Sequence, residues 1–166
     1  MAANRPQSAG DAAKTVLTHV ENTLDPIIFP DSRVLLLGSM PSPKSREIGF
    51  YFGNPQNRFW RVVAALYGEK PLTSKPEKID FCKRHHLALC DALKACDIKG
   101  ASDASIANPI PHNIGALIQD SSICAILRLV GRQQNFISAT RSNKLVFLHV
   151  NCPLQVLPML ACQLMI

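Results

Sequence analysis

Short apolar runs separated by amphipathic segments dominate the middle of the chain. Val34 to Leu37 is a run of four apolar residues closed by Gly38, and it predicts a strand buried on both faces. Similar runs at 87–90 and 123–126 predict a second and a third strand. Because helical segments lie between these runs, the order indicates an α/β fold, a three-layer α/β/α sandwich with a central parallel sheet.

The clearest helix signal follows the first strand. Asn54 as N-cap and Pro55 at the first helical position precede an amphipathic stretch, which predicts a helix over about 55–67. The preceding residues, 38–53, are rich in Gly, Pro and Ser and are predicted to form a loop. Ligands of parallel sheets bind beyond the carboxyl ends of the strands, so chemistry is expected at this loop.

Weaker signals complete the outline. Ser74 and Glu77 have the spacing of a capping box and predict a helix that ends near residue 86. A short helix is predicted over about 113–119. Residues 97–111 are rich in turn formers and are predicted to be an irregular connection.

A specific pattern of residues occupies the 38–53 loop and the start of the helix behind it. Its first part is Gly38-Ser39-Met40-Pro41, and its second part is Gly49-Phe50-Tyr51-Phe52-Gly53-Asn54-Pro55-Gln56-Asn57-Arg58-Phe59-Trp60. At this spacing the pattern resembles the first motif region of the uracil-DNA glycosylase superfamily, and hypoxanthine-DNA (DNA-deoxyinosine) glycosylases are the most similar subgroup. Segments 91–93 and 100–106 resemble the same subgroup, so the resemblance covers roughly residues 28–126.

The resemblance implies a base-excision repair enzyme. Such an enzyme flips a deaminated base out of double-stranded DNA and hydrolyses its N-glycosidic bond, with water as the nucleophile. Hypoxanthine (deoxyinosine) is the base expected first, and uracil is the second. No metal or organic cofactor is expected, and the implied protein is a monomer without an obligate protein partner.

The resemblance also assigns roles to residues. Asn57 is the candidate catalytic residue because its amide can hold the base or the water, and Phe52 matches the aromatic residue that stacks on the base in related mismatch-specific enzymes. Met40 departs from several branches of the superfamily, which carry there an Asp or Asn that orients the water. The candidate substrate-binding residues are Gly38, Ser39, Met40, Pro41, Phe50, Tyr51 and Phe52. The candidate contacts to DNA phosphates are Lys44, Arg46 and Arg58.

Structural interpretations stand beside these roles. Asn57 in a first helical turn commonly bonds free backbone N–H groups, and aromatic residues commonly fill a core. Three aspartates are interpreted as turn and cap residues, namely Asp91, Asp97 and Asp103, although Asp103 is also a candidate for the rim of the site. Four residues imitate metal-ligand spacing, namely Cys82, His85, His86 and Cys90. They do not converge on one point of a helix, so a partly buried helix end is favoured over a metal site.

Composition and charge narrow the class of protein. Of the 166 residues, 47% are hydrophobic and 18% are charged, which indicates one globular catalytic or binding domain. The net charge of +6 is only a weak indication of nucleic-acid binding, because the excess lies mostly in residues 127–166, which hold no acidic residue. Six cysteines without a Cys-x-x-Cys pair favour a reduced, cytoplasmic setting. The uncharged stretch 145–166 contains prolines and glutamines, so a membrane span is not expected.

Residues 127–166 do not continue the pattern of the subgroup, which ends in a Leu-Pro-Ser-Thr-Ser-Pro-Ala-Asn segment that holds DNA phosphates. A shifted reading frame can restore this segment. If each new codon takes the third base of one codon and the first two bases of the next, the codons of residues 151–160 can encode the nine residues Leu-Pro-Ser-Thr-Ser-Pro-Ala-Asn-Ala. A slip of the reading frame near residue 126 or 127 is therefore predicted. The chain then divides into a glycosylase-like domain, 1–126, with 1–25 partly flexible, and a divergent, poorly packed segment, 127–166, that leaves the fold incomplete. Coding DNA whose third bases do not give that segment would refute the hypothesis.

Two other functions stay open at this point. The chain can be an inactive remnant or a non-catalytic DNA-binding module, because the second motif is missing. It can also be an unrelated small-molecule hydrolase that uses the same strand-end loop. Excision of a deaminated base separates the enzyme from the binding module, and salt-dependent binding of duplex DNA separates both from the small-molecule enzyme.

Overall fold

A computed structural model of the chain describes residues 16–129 and the backbone of residues 146–149. Within these ranges the strands are β1 Thr18–Glu21, β2 Val34–Gly38, β3 Leu87–Asp91, β4 Leu93–Lys99, β5 Ser102–Pro111, β6 Ala125–Arg128 and β7 Val146–His149. The helices are α1 Pro43–Ile48, α2 Phe59–Leu66, α3 Lys75–Arg84 and α4 Ile114–Ile118. None of the helices in the described part of the chain has the length and apolar character needed to cross a membrane.

The central sheet has the order β3-β2-β6-β7. Strand β2 runs parallel to β3 and β6, whereas β7 pairs antiparallel with β6. All five residues of β2 and of β3 are buried, as continuous apolar runs in the middle of a parallel sheet require. The strands predicted at 34–37 and 87–90 are therefore confirmed, and the third begins two residues later than predicted.

Helices cover both faces of this sheet. On one face, Leu36 and its neighbours pack against Trp60 of α2 and Phe81 of α3. On the other face, Leu35 packs in a second cluster with residues of α4 such as Leu117. Alternate side chains of β2 thus pack on opposite faces of the sheet, as the two-residue period of a strand requires. The predicted three-layer α/β/α arrangement with a parallel central sheet is confirmed.

A second, antiparallel sheet with the order β1-β4-β5 adjoins the first. It corrects the prediction of an irregular connection over 97–111, because most of that segment belongs to β4 and β5. The misleading turn residues are tolerated because β5 is an edge strand with register shifts, and Asn108 adopts a positive φ of 45° within it. Strand β1 lies inside the segment 1–25, where no strand is predicted, and pairs with β4.

The helix boundaries also differ from the prediction in the loop region. Helix α2 begins at Phe59 and not at residue 55, because the side chains of Asn54 and Asn57 accept hydrogen bonds from backbone N–H groups two residues further on and so form turns. The predicted loop 38–53 contains α1, which Ser42 caps. The capping box and helix predicted from residue 74 are confirmed, as is the short helix after residue 113.

Residues 127 and 128 complete β6, and the Leu127 side chain lies in the core with 1% of its surface exposed. The backbone of β7 pairs with all four residues of β6. Leu129 follows β6, and residues 130–145 and 150–166 lie outside the described residues, including the segment 151–160 that was read in the alternative frame.

Candidate active site

The candidate site begins where β2 ends. Gly38 is the last residue of β2 and lies opposite Asp91, the last residue of β3. Beyond the strands, the Ala92 N–H donates to the Gly38 carbonyl over 2.9 Å, and the Leu93 N–H donates to the Ser39 carbonyl over 3.1 Å. The Gly38-Ser39 backbone is therefore fixed at the carboxyl edge of the parallel sheet, where ligands of such sheets bind.

The absence of a side chain at Gly38 makes room for the Asp91 carboxyl group. A Cβ atom at Gly38 would overlap Asp91 Oδ1 and would lie 3.3 Å from Asp91 Cγ. Gly38 does not have a positive φ, so its backbone conformation does not require glycine. Glycine is needed here because there is no space for a side chain.

Asp91 is 4% exposed and is one of the few charged or polar side chains in the core of the described residues. Its Oδ2 accepts a long hydrogen bond of 3.5 Å from the Asn22 amide. The Asn22 Oδ1 atom accepts from the Leu24 N–H, so the amide nitrogen must face Asp91. Burial, together with the nearby negative charge of Asp103, raises the pKa of Asp91 to about 7, and the bond from Asn22 only partly opposes this shift.

We expect Asp91→Asn to stabilise the folded chain at high pH. Because the folded state holds the pKa of Asp91 near 7 and not near its ordinary 3.8, the native chain loses stability as the pH rises between these values. At about 1.4 kcal/mol per pKa unit the loss is on the order of 4 kcal/mol, and an asparagine does not incur it. Melting temperatures at pH 5 and pH 8 test this, since the gain of the variant over the parent must grow with pH. A gain that is equal at both pH values would contradict a buried, titrating Asp91.

A second carboxyl group, Asp103 of β5, lies near Asp91. Its pKa is raised by burial, whereas the Ser39 hydroxyl and the positive charge of Arg128 lower it. The Ser39 Oγ atom is itself buried and has no hydrogen bond of ordinary geometry, although it is close enough to act on Asp103. Asn22, Ser39, Asp91, Asp103 and Arg128 are called the strand-end cluster below.

Met40 and Pro41 continue the chain away from the strand-end cluster. The Met40 side chain is 9% exposed and packs with Cys96 and Ile98 of β4, so it belongs to the junction with the second sheet. Pro41 is buried, and its carbonyl accepts a hydrogen bond of 2.9 Å from the Arg46 guanidinium. Because the Met40 side chain is buried, this turn can offer a ligand its backbone groups more readily than that side chain.

Phe50 and Tyr51, two predicted substrate-binding residues, are 6% and 3% exposed and belong to the core. The Tyr51 hydroxyl donates to the Leu24 carbonyl over 3.4 Å, and the Trp60 indole N–H donates to the Tyr51 carbonyl over 2.9 Å. The ring of Phe50 lies 5.8 Å from the ring of Trp60. These contacts fix the base of the loop to α2.

Phe52 differs from its two neighbours because it is half-buried and has a φ of 51°. Its ring stacks on Phe59 with a centroid distance of 3.9 Å. The Phe59 N–H donates in turn to Asn57 Oδ1 over 2.8 Å. Phe52, Phe59 and Asn57 therefore form one connected unit, called the aromatic–amide unit below. Asn57 is exposed, and its amide nitrogen is the group that it can offer to a ligand.

The predicted phosphate contacts are in three different situations. Lys44 is exposed on α1 and pairs with Glu47 over 2.8 Å. Arg46 is bound to the Pro41 carbonyl, and burial lowers its pKa. Arg58 is exposed before α2 and borders an apolar cavity of about 210 Å³ between α2 and the sheet, which Val62 and Leu129 also line.

Sequence reasoning missed the buried position of Asp91. The interpretation as a turn residue was wrong, because Asp91 ends β3 and is buried. The available signal was a lone aspartate directly after an apolar run, at the carboxyl end of a predicted parallel strand. The described residues contain no group of three or more potential metal ligands from His, Cys, Asp and Glu. Of the residues with metal-like spacing, His85 contacts Glu69 and His86 contacts Asp31.

A parallel sheet between helices, with a Gly-Ser-Met-Pro turn at one strand end and an aromatic–amide unit further along the chain, defines the class of this domain. It is a mixed α/β domain with a uracil-DNA glycosylase-like fold. The solution NMR structure of a protein from Methanosarcina acetivorans described as a uracil DNA glycosylase superposes with a TM-score of 0.59 and 26% identity, over 67% of this chain and 70% of that chain.

Two curated relatives are similar in sequence to part of the chain. A hypoxanthine DNA glycosylase of Methanosarcina acetivorans is 35% identical over 81 residues, which cover 48% of this chain and 51% of the relative. One of Methanosarcina barkeri is 32% identical over 82 residues, which cover 49% of this chain and 52% of the relative. The chain spans about half the length of these curated relatives, and over that half its sequence is similar to theirs. No protein-family model matches the chain.

Proposed function

We propose that this protein is a DNA glycosylase that hydrolyses the N-glycosidic bond of a flipped, deaminated base in double-stranded DNA. Hypoxanthine is the proposed base, and uracil is the second. The aromatic–amide unit is the observation that carries the proposal, because it offers a stacking ring and an exposed amide on the segment that follows the strand-end turn. The proposed enzyme is a cytoplasmic monomer.

The strained backbone of Phe52 supports its role in the site. A positive φ costs a residue other than glycine on the order of 1–3 kcal/mol, and such strain is concentrated at functional sites. Phe59 covers one face of the Phe52 ring. The other face is the surface on which an unstacked purine would lie, with the Asn57 amide at its edge.

Charge must be stabilised on the departing base for the bond to break. Donors fixed before the reaction do this best, and the Asn57 amide is held through its oxygen by Phe59. Phosphate contacts would come from Lys44 and Arg58, whose charged ends are exposed, and less from Arg46.

Incubation with duplexes that contain deoxyinosine or deoxyuridine tests the function, with abasic sites as the readout. We expect Asn57→Ala to lower the single-turnover rate about 100-fold or more, as loss of a preorganised donor does. Phe52→Ala should lower it by about 5- to 150-fold, since stacking of a base on an aromatic ring is worth about 1–3 kcal/mol. Gln56→Ala is the matched control, because it removes a neighbouring exposed amide and should keep the parent rate. Unchanged excision by Asn57→Ala or by Phe52→Ala would remove that residue from the site.

The missing second motif gives the alternative function, a remnant or DNA-binding module without catalysis. Residues 127–166 as written lack the Leu-Pro-Ser-Thr-Ser-Pro-Ala-Asn segment, so weak activity is proposed for this chain and higher activity for a version with residues 127–166 in the alternative frame. Salt-dependent duplex binding without excision in both versions would favour the binding module.

A further inference from the structure

Two lysines of α3 contact the segment of chain that leads to Phe52. Lys75 and Lys78 are three residues apart, so they lie on one side of the helix. The Lys75 ammonium donates to the Ile48 carbonyl at the end of α1 over 2.5 Å. It also lies 3.8 Å from the place that a Cβ atom would take at Gly49. One positive charge is therefore held against the backbone just before the aromatic residues of the loop.

Lys78 lies over the aromatic rings behind the same segment. Its Nζ atom is 5.9 Å from the centre of the Phe50 ring and 5.6 Å from that of the Trp60 ring. The Trp60 ring contacts Phe59 edge-on at 5.0 Å, and Phe59 stacks on Phe52 at 3.9 Å. A continuous series of measured contacts therefore joins Lys78 to the ring on which the flipped base is proposed to lie.

The acidic side chains of α3 are engaged away from these two lysines. Glu77 accepts from the backbone N–H groups of Thr73 and Ser74 in the capping box. Asp80 accepts from Arg84 over 2.7 Å. Within the part of the chain that the structure describes, the ion pairs to carboxylates thus involve other cations and neither of these lysines.

The two positive charges are incompletely compensated by the protein. Lys78 is half-buried, and burial lowers its pKa, while the nearby charge of Glu77 only partly opposes this shift. Lys75 is the first residue of α3, where the helix dipole disfavours a cation. The other end of α3 has the favourable arrangement, with Lys83 and Arg84 in the last turn. An anion bound at the two lysines would offset the burial and the unfavourable dipole.

We propose that Lys75 and Lys78 bind phosphate groups of the DNA strand whose flipped base would lie on Phe52; the inference rests on the proposed function. Phosphate is the anion that such a substrate offers next to every base, and a lysine ammonium binds it as a point charge. Lys75 keeps two N–H donors besides the one that binds Ile48. Because contacts within the protein already hold both side chains, less conformational entropy is lost when phosphate binds.

The salt dependence of duplex binding tests the inference. Each phosphate contact contributes about 0.9 to the slope of log affinity against log salt concentration for double-stranded DNA. Lys75→Gln and Lys78→Gln should each reduce the steepness of the slope by about this amount. From about 50 to about 200 mM salt, the affinity of the parent should then fall about ten-fold more than that of the double variant. A labelled duplex with a tetrahydrofuran site, which cannot be hydrolysed to release a base, gives the affinities by fluorescence anisotropy.

Three control variants separate charge from structure. Lys83→Gln removes the same charge from the last turn of α3, and it should keep the parent slope. Lys75→Arg and Lys78→Arg retain the positive charge and should keep the slope as well. An unchanged slope in Lys75→Gln and Lys78→Gln would overturn the inference. If their melting temperatures fall at the same time, the lysines only hold α1 and the aromatic rings in place.

Excision of deoxyinosine by the parent separates this inference from the proposed function. Excision by the parent, with unchanged slopes in the glutamine variants, would overturn the phosphate contacts and leave the proposed function standing. A parent without excision, whose glutamine variants show less steep slopes, would overturn the proposed function and support the phosphate contacts. A parent that binds no duplex would overturn both.

Discussion

Gly38→Ala should destabilise the domain and abolish the proposed excision of a deaminated base. The new methyl group would overlap the buried Oδ1 of Asp91, and the strands that carry both residues are held in register by the parallel ladder. Relief of this overlap requires either that the strands separate, which breaks backbone hydrogen bonds, or that the Asp91 carboxyl group moves. Overpacking of a rigid interior costs about 1–3 kcal/mol, and a displaced Gly38-Ser39 turn would also misplace the strand-end cluster.

A double-mutant cycle tests the cause of this effect. Asp91→Ala removes the group that the new methyl would strike, so Gly38→Ala should cost less in that background, with an interaction energy of about 0.5–3 kcal/mol from urea unfolding. Gly115→Ala is the matched control, because a Cβ there meets only ordinary contact, with Asn113 Oδ1 at 3.6 Å. In helix α4 it should be neutral or stabilising by about 0.5–1 kcal/mol. Additive effects of Gly38→Ala and Asp91→Ala would show that the contact is not the cause.

Phe81→Ala should have the largest effect on stability among single substitutions in α3. The Phe81 ring is fully buried and contacts the ring of Tyr67 edge-on at 5.4 Å and the ring of His85 at 4.4 Å. It belongs to the core cluster that α2, α3 and the central sheet share. Truncation of such a residue costs about 3–5 kcal/mol, a large part of the roughly 5–15 kcal/mol that stabilises a typical domain.

Ile79→Ala on the same helix is the control for Phe81→Ala. Ile79 is 40% exposed, and surface substitutions usually change stability by about 0.5 kcal/mol or less. Denaturant unfolding of both variants gives the comparison. A loss for Phe81→Ala no larger than that for Ile79→Ala would mean that α3 is not packed on the sheet as described.

The central sheet could be predicted from local patterns because each of its signals is complete within a few residues. The apolar runs of β2 and β3 are long enough to require burial on both faces, and the capping box of Ser74 and Glu77 fixes the start of α3. The second sheet could not be predicted in this way. Strand β5 is an edge strand with prolines and a positive φ at Asn108, and only its pairing with β4 makes it a strand.

The residues of the candidate site also differ in whether they could be predicted from local sequence. The turn from Gly38 to Pro41, Phe52 and Asn57 could be named from one stretch of sequence through its resemblance to a family. Asp103 could be named only as a candidate for the rim of the site, and Asp91 could not be named, because the two lie in different sheets and are ordinary turn formers when read locally. Burial raises the pKa of both carboxyl groups, and the charge of Asp103 adds to the shift at Asp91; these are properties of the assembled fold.

The sequence by itself determined the order of buried strands and covering helices and the loop at which chemistry is placed, since apolar periodicity and cap residues act over a few positions. Only the tertiary structure decided that the Gly38 backbone lies against the Asp91 carboxyl group, and that Ser39, Asp103 and Arg128 share one strand end. Desolvation and Coulomb interactions depend on distance in space, and residues 39, 91, 103 and 128 become neighbours only when the two sheets have formed.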